Sequence, residues 1–370
     1  MRIHGLDSIR GIAALIVVFN HFYNVVPFLK TDNHWLFNFT PVYWLIAGRF
    51  AVILFFMLSG FVLALPYFQL KEQSYSQYIT KRICRIYLPF MVAVILASVL
   101  CHGFAEPRPL WALGNTDWSQ PVTMNLLLQH LLMAGTNYTT ITLDHPMWSL
   151  IIEMRISIIF PLLVLLVSRF RWWAVPGSLI LGYSAAKVFV IFFGNDFYEG
   201  ESAFGAIVLT LYYVPFFMIG IMMASIIDTL KIWVQTIPQK AHLLIIATIF
   251  LTPHFFFKSH FMFTDLWYGI ASAYVILCSI GLTKVNLALS LGLFKWLGRV
   301  SYSLYLIHMP VLLAVLYVFH DTFGFATILL IAFPLVLMAA EIMNRLVERP
   351  SIQLGKQLSA SLLRPNLQYS

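Results

Sequence analysis

The chain has 370 residues, 60% of them hydrophobic and only 10% charged, with a mean hydropathy of +0.83. A soluble domain carries about a quarter charged residues, so the composition excludes a soluble fold and predicts an all-α, polytopic membrane helical bundle. The formal net charge of +8 is read as basic residues gathered in the loops on one side of a membrane, not as a nucleic-acid surface.

Ten spans of about twenty residues are predicted, at 11–29, 48–68, 87–104, 147–168, 174–193, 206–227, 241–257, 266–283, 300–319 and 324–346. The first is not read as a cleaved signal, because it contains Asn20 and His21 and lacks a small-residue cleavage site. The apolar run from Met124 to Ala134 is too short to cross and is placed on the outer surface or as a re-entrant half-helix. Of the 23 Lys and Arg, all but Lys30, Arg49, Arg108, Arg155, Lys187 and Lys258 fall on the side of the N-terminus, which puts both termini in the cytoplasm. Two outer loops stand out: 105–146, with Trp111, Asp117, Trp118, Asp144 and His145, and 194–205, with Asp196, Glu199 and Glu201. Residues 1–350 are read as one membrane domain and 351–370 as a short cytoplasmic tail. Cys84, Cys101 and Cys278 are odd in number and lack metal-ligand spacing, so neither a disulfide framework nor a metal site is expected.

Ionisable groups within spans are costly and usually functional, and they form patterns here. Arg10 and His21 lie eleven residues apart, about three helical turns or roughly 16 Å, and so share one face, with Asp7 a further near-whole turn away. His21 falls ten residues into the predicted span, near the bilayer midplane, where a neutral imidazole is suited to take a proton from a hydroxyl. Arg82 and Arg85, at the cytoplasmic start of the third span, are i,i+3 neighbours whose guanidinium groups can converge on phosphates or a carboxylate; the same cluster also fits a purely topogenic role. His145, Ser149, Glu153 and Ser157 make a stripe down the fourth span, next to Trp148. Glu153, about two turns from the outer end, must pair or become protonated. Arg155 is not its partner, since two residues apart means opposite faces. Ser301, Tyr305 and His308 make a second stripe just before Pro310, and Glu341, Arg345 and Glu348 read as a salt-bridge ladder at the end of the tenth span.

No nucleotide-binding loop, nucleophile elbow or zinc-protease motif occurs in a plausible setting. The segments LDSIRGIAALIVVFNHF at 6–22, FFMLSGFVL at 55–63, KRICRIYLP at 81–89, WSLIIEMRISIIFPLL at 148–163 and LGRVSYSLYLIHMPV at 297–311 together resemble the acyltransferase 3 family of bacterial integral membrane acyltransferases. Departures are Ile156 and Ser157, where relatives often carry aromatic residues, and Arg49 with Phe50 near the outer end of the second span. The resemblance implies an enzyme of the bacterial cytoplasmic (inner) membrane. It would move an acyl group, commonly acetyl, from a cytoplasmic acyl-CoA co-substrate to a hydroxyl of a cell-envelope carbohydrate or lipid-linked glycan, with no permanently bound cofactor.

On that reading His21, Glu153 and Asp7 are the catalytic candidates, with His21 as base and either carboxylate orienting it. Arg10, Arg82, Arg85, Trp148, Ser149, Tyr305 and His308 are the substrate-binding ones. Donor phosphates are expected at the cytoplasmic arginines and the acceptor from the outer side near Glu153. A transporter using His21, Glu153 and His308 as a proton relay is the alternative, against which stands the lack of an evident internal repeat.

Overall fold

The computed structural model describes residues 4–25, 40–69, 74–105, 117–118, 121–133, 142–194, 202–256 and 261–362. Trp111, Asp196, Glu199 and Glu201, the ends of the first and seventh predicted spans, and the tail beyond 362 lie outside them. The described residues contain helices and no strand. In chain order these are α1 (His4–Asn24), α2 (Gly48–Phe68), α3 (Tyr75–Phe104), α4 (Met124–Leu131), α5 (Trp148–Phe170) and α6 (Ala174–Phe193). There follow α7 (Ala203–Ser225), α8 (Ile227–Thr236), α9 (Gln239–Phe256), α10 (Phe261–Gly281), α11 (Thr283–Leu289), α12 (Gly292–Phe319) and α13 (Phe325–Ser361).

Local chemistry sets several boundaries. Ser74 starts α3 with a reciprocal capping box to Gln77, and Thr123 caps α4 through the Leu126 amide. Arg171, at φ 48°, takes the left-handed conformation that ends α5. Two helices contain a π turn, at Ile83–Tyr87 in α3 and Asn344–Glu348 in α13. Each is followed at two residues by a proline, Pro89 and Pro350. A proline ring clashes with the carbonyl four residues back and lacks its own N–H; one extra residue in the preceding turn relieves both problems.

Among the described residues, eight helical stretches are long and apolar enough to cross a membrane, or nine if α8 and α9, which meet at 107°, form one broken span. One of the eight, His145–Phe193, is 49 residues long, about 74 Å of helix against a hydrocarbon core of about 30 Å. It contains α5 and α6, interrupted at Arg171, and so holds two of the predicted spans. Large apolar side chains such as Leu165, Ile180, Ile191 and Phe192 are exposed, as lipid-facing residues are. Each of the ten predicted spans coincides with a helix. The seventh meets the length requirement only together with α8.

The chain divides into two compact units. Unit 1 comprises residues 1–71, 163–183 and 213–301; unit 2 comprises 72–162, 184–212 and 302–370. In unit 1, α2 packs against α1 and α10, and α2 crosses α7 at Gly60 and Gly220 so closely that a Cβ on either would lie 2.2 Å from a carbonyl oxygen of the other helix. In unit 2 the end of α13 packs along the start of α3, with Gly355 against Cys84. The segment expected as a polar tail is thus, through Ser361, the final part of a docked helix, tied by Gln77 Nε2 to the Ser359 carbonyl at 3.3 Å.

Candidate active site

In unit 1, α1 is one unbroken helix carrying Asp7, Arg10 and His21, all partly buried. Helix geometry places Arg10 and His21 within about 20° on the same face and roughly 16 Å apart, with Asp7 about 21 Å from His21 along the axis. That separation rules out a hydrogen bond between Asp7 and the imidazole. The helix is fixed at both ends. Ser8 Oγ donates to the Leu289 carbonyl at 2.7 Å, and Gly11 lies directly on Leu297 and Gly298. At the other end Asn20 Nδ2 donates to the Ile46 carbonyl at 2.6 Å. The helix begins at His4, so His21 stands in its last described turn and not midway along. Gly5, Ser8 and Gly11, which precede or open the predicted span 11–29, are buried packing positions of the helix itself.

In unit 2, α3 and α5 run antiparallel, as the order of their contacts shows. Tyr75 Oη donates to the Ile158 carbonyl, Tyr78 Oη to that of Ser157, and Arg82 reaches Glu153. The Arg82 Nη2 to Glu153 Oε1 distance is 2.8 Å, and Nη2 and Nε also donate to Ser157 Oγ at 2.9 and 3.2 Å. Ser157 in turn donates to the Glu153 carbonyl. Glu153 therefore pairs, as its burial demands, and Arg155 is indeed not its partner: Arg155 Nη1 donates to the Ala206 carbonyl. The expected separation of Arg82 on the donor side from Glu153 on the acceptor side does not hold. Both side chains are largely buried, and two charges in a low-dielectric setting are tolerable only together. Arg85 differs from Arg82 in being exposed, with the π turn between them altering the i,i+3 geometry.

A polar cluster adjoins this pair. Partly buried Tyr302 donates to the Ile86 carbonyl within the π turn at 2.7 Å and lies within electrostatic reach of Glu153, Glu348, Arg82 and Arg85. Ser303 and Asn344 donate to Glu348 Oε2 at 2.5 and 2.8 Å. Of the predicted ladder, Arg345 pairs with Glu341 at 2.6 Å. Glu348 turns instead to Ser303 and Asn344, because the π turn shifts its phase.

The two predicted stripes of α5 and α12 meet. The Ser149 and Tyr305 hydroxyls are 2.7 Å apart, and Tyr305 Oη donates to the Pro146 carbonyl at 2.8 Å. His308, fully buried, has Nδ1 3.1 Å from the Leu304 carbonyl. Trp148 is partly exposed beside Ser149. Just before α5, Asp117 Oδ1 lies 3.7 Å from His145 Nδ1, and Asp144 is 1% exposed. Burial pushes Asp117 up to about 7 and Asp144 well above the usual carboxylate range. Sequence reasoning missed Asp265, which pairs with Arg49. The available signal was an acidic residue at the edge of a predicted apolar span. No cluster of three or more His, Cys, Asp or Glu among the described residues could hold a metal ion.

A family model described as "Acyltransferase domain" matches residues 3–343. Among curated proteins, the Acyltransferase MdmB of Streptomyces mycarofaciens is 27% identical over 329 residues, spanning 84% of this chain and 79% of its own. No solved structure matches.

Proposed function

The chain belongs to this acyltransferase family and is a multi-pass membrane acyltransferase, and on that premise we propose that it transfers an acetyl group from acyl-CoA to a hydroxyl of a cell-envelope carbohydrate or lipid-linked glycan, with His21 as general base. The observation that carries this reading is the single face of α1 bearing Arg10 and His21 some three turns apart. A cation at one end can hold a coenzyme A phosphate while the extended pantetheine arm runs along the helix towards the imidazole at the other. Unit 2, taken by itself, offers exposed Arg85 as a group able to take an anion, and Glu153 holds Arg82 in a fixed orientation. Of Trp148, Ser149, Tyr305 and His308, the further substrate-binding candidates of that unit, Trp148 is partly exposed and the other three are buried. The bias of basic residues towards the side of the N-terminus supports a cytoplasmic N-terminus in this reading, the side from which acyl-CoA would come.

In the reaction, neutral His21 accepts the proton of the acceptor hydroxyl as its oxygen forms a bond to the thioester carbonyl carbon. The tetrahedral intermediate collapses by breaking the carbon–sulfur bond. The imidazolium returns its proton to the departing thiolate, giving an O-acyl ester and free coenzyme A. A base in this role is worth about 10²–10⁴-fold in rate. The test is purified protein in lipid nanodiscs given labelled acetyl-CoA and envelope glycan extract. Wild type should release coenzyme A thiol and label the glycan, and His21→Ala should lose at least a hundredfold while retaining its thermal unfolding profile. Transfer by His21→Ala at the wild-type rate would remove His21 as base.

A further inference from the structure

Unit 1 holds a second polar constellation at the end of α1 that carries His21. Arg49, the second residue of α2, donates through Nε and Nη2 to the two carboxylate oxygens of Asp265 on α10, with Nη2–Oδ2 at 2.7 Å. Beside it the Tyr43 and Tyr268 hydroxyls are hydrogen-bonded. Trp44 closes the back of the group, with ring centroids 5.1 Å from Phe50, 4.4 Å from Phe250 and 5.9 Å from Tyr268.

Burial divides this group into two layers. Asp265, Tyr268 and Trp44 are buried, whereas the Arg49 side chain is 33% exposed and Tyr43 is partly exposed. The accessible layer is thus a guanidinium and a phenol, each held from behind by a buried partner. His21 belongs to the same neighbourhood. Its chain neighbour Asn20 bonds the Ile46 carbonyl, and Gly48 lies so close to the Asn20 side chain that a Cβ there would sit 2.7 Å from Oδ1. The last turn of α1 is therefore pinned to the link that leads into Arg49.

A carboxylate with no exposure, paired with an arginine, is weak evidence for stability, since apolar residues of similar volume would serve as well. What the fork does achieve is to fix the plane of the guanidinium. The pair carries no net charge, so it offers little to a phosphate or a carboxylate. It does present N–H donors beside a hydroxyl and an aromatic face, the combination suited to hydroxyl groups on an otherwise apolar ring.

We infer that Arg49 and Tyr43, backed by Asp265 and Tyr268, form the binding wall for the acceptor, and that this wall takes a neutral, polyhydroxylated ring in preference to an anionic one. The assignment of that ligand as acceptor rests on the transfer reaction proposed above. The binding itself is separately measurable. Full-length protein in nanodiscs, without acyl-CoA, is dialysed against radiolabelled methyl β-glycosides of glucose, galactose and N-acetylglucosamine, and against methyl glucuronide and glucose 1-phosphate. At least one neutral glycoside should bind saturably and more tightly than either anion. Arg49→Lys, which keeps the charge and loses the fork, should weaken that binding about tenfold or more. Asp265→Asn, which unmasks the charge, should shift preference towards glucuronide. Tyr43→Phe, a packing-neutral change, should also weaken binding and serves if the ion-pair variants unfold. Absence of saturable neutral binding, tighter binding of the anions by wild type, or unchanged affinity in both Arg49→Lys and Tyr43→Phe would overturn the inference. Thioester cleavage, followed in parallel, separates the two ideas: glycoside binding without cleavage defeats the transfer reading alone, and cleavage without glycoside binding defeats the wall alone.

Discussion

Asp144 is buried with neither carboxyl oxygen hydrogen-bonded among the described residues, and such a group survives burial by holding its proton. Asp117, whose charge also acts on Asp144, shows the same effect, pushed by burial from 3.8 up to about 7. In the unfolded chain it ionises near its ordinary value; in the folded protein it stays protonated to about neutral pH. Between about pH 4 and 7 the unfolded state therefore holds fewer protons, and the contribution of this site to stability falls as pH rises. The full shift corresponds to about 4 kcal/mol. Asp117→Asn should accordingly raise the melting temperature by several degrees at pH 8 and leave it nearly unchanged at pH 4. Thermal unfolding across that range checks this, and a gain of equal size at both pH values would contradict it. The demand that Glu153 find a partner was legible in the sequence, because burial of a carboxylate leaves few options. That the partner is Arg82 was not, since 71 residues separate them and only the antiparallel packing of α3 on α5 brings them level.

At the scale of elements, hydropathy located the spans, because twenty apolar residues have few other uses. It did not locate the close approaches. Gly60 and Gly220 let α2 and α7 meet backbone to backbone, and small residues at such crossings are what membrane helices rely on for packing. Gly60→Ala would drive a methyl group against the Phe217 carbonyl, which has no side-chain freedom to yield. A loss of about 1–3 kcal/mol or more is expected, measured by denaturant unfolding in detergent. Gly103→Ala, where nothing lies within 4 Å, should be neutral and provides the control. The misplacement of α1 has the same origin. Its first turn is polar by composition and became helical core through partners on α11 and α12, which one-dimensional hydropathy does not see.

For the whole molecule, counting the 49-residue run as two crossings and the bent α8–α9 pair as one brings the eight apolar stretches to ten. An even number returns the chain to its starting side. With Cys84, Cys101 and Cys278 replaced, a cysteine at Thr322, exposed between α12 and α13, should react with a membrane-impermeant maleimide in intact cells. One at Ser361, at the end of α13, should react only after permeabilisation. Labelling of both positions under the same condition would exclude the ten-span arrangement.

The π turns of α3 and α13 bear on how such a chain tolerates insertion and deletion. Each holds one residue more than an α-helical path of the same length needs, and a residue of helix is worth about 100° of rotation. Removing one residue from 83–87 would close the wide turn into an ordinary α-helical one and keep the rest of the span in register with Arg82, at the cost of the relief the turn gives Pro89. Removing a residue elsewhere in the helix would swing everything beyond it through more than a quarter turn. Hydropathy cannot tell the two changes apart. The single surplus residue before each proline thus marks a place where the helix can absorb a change of length that the rest of it cannot.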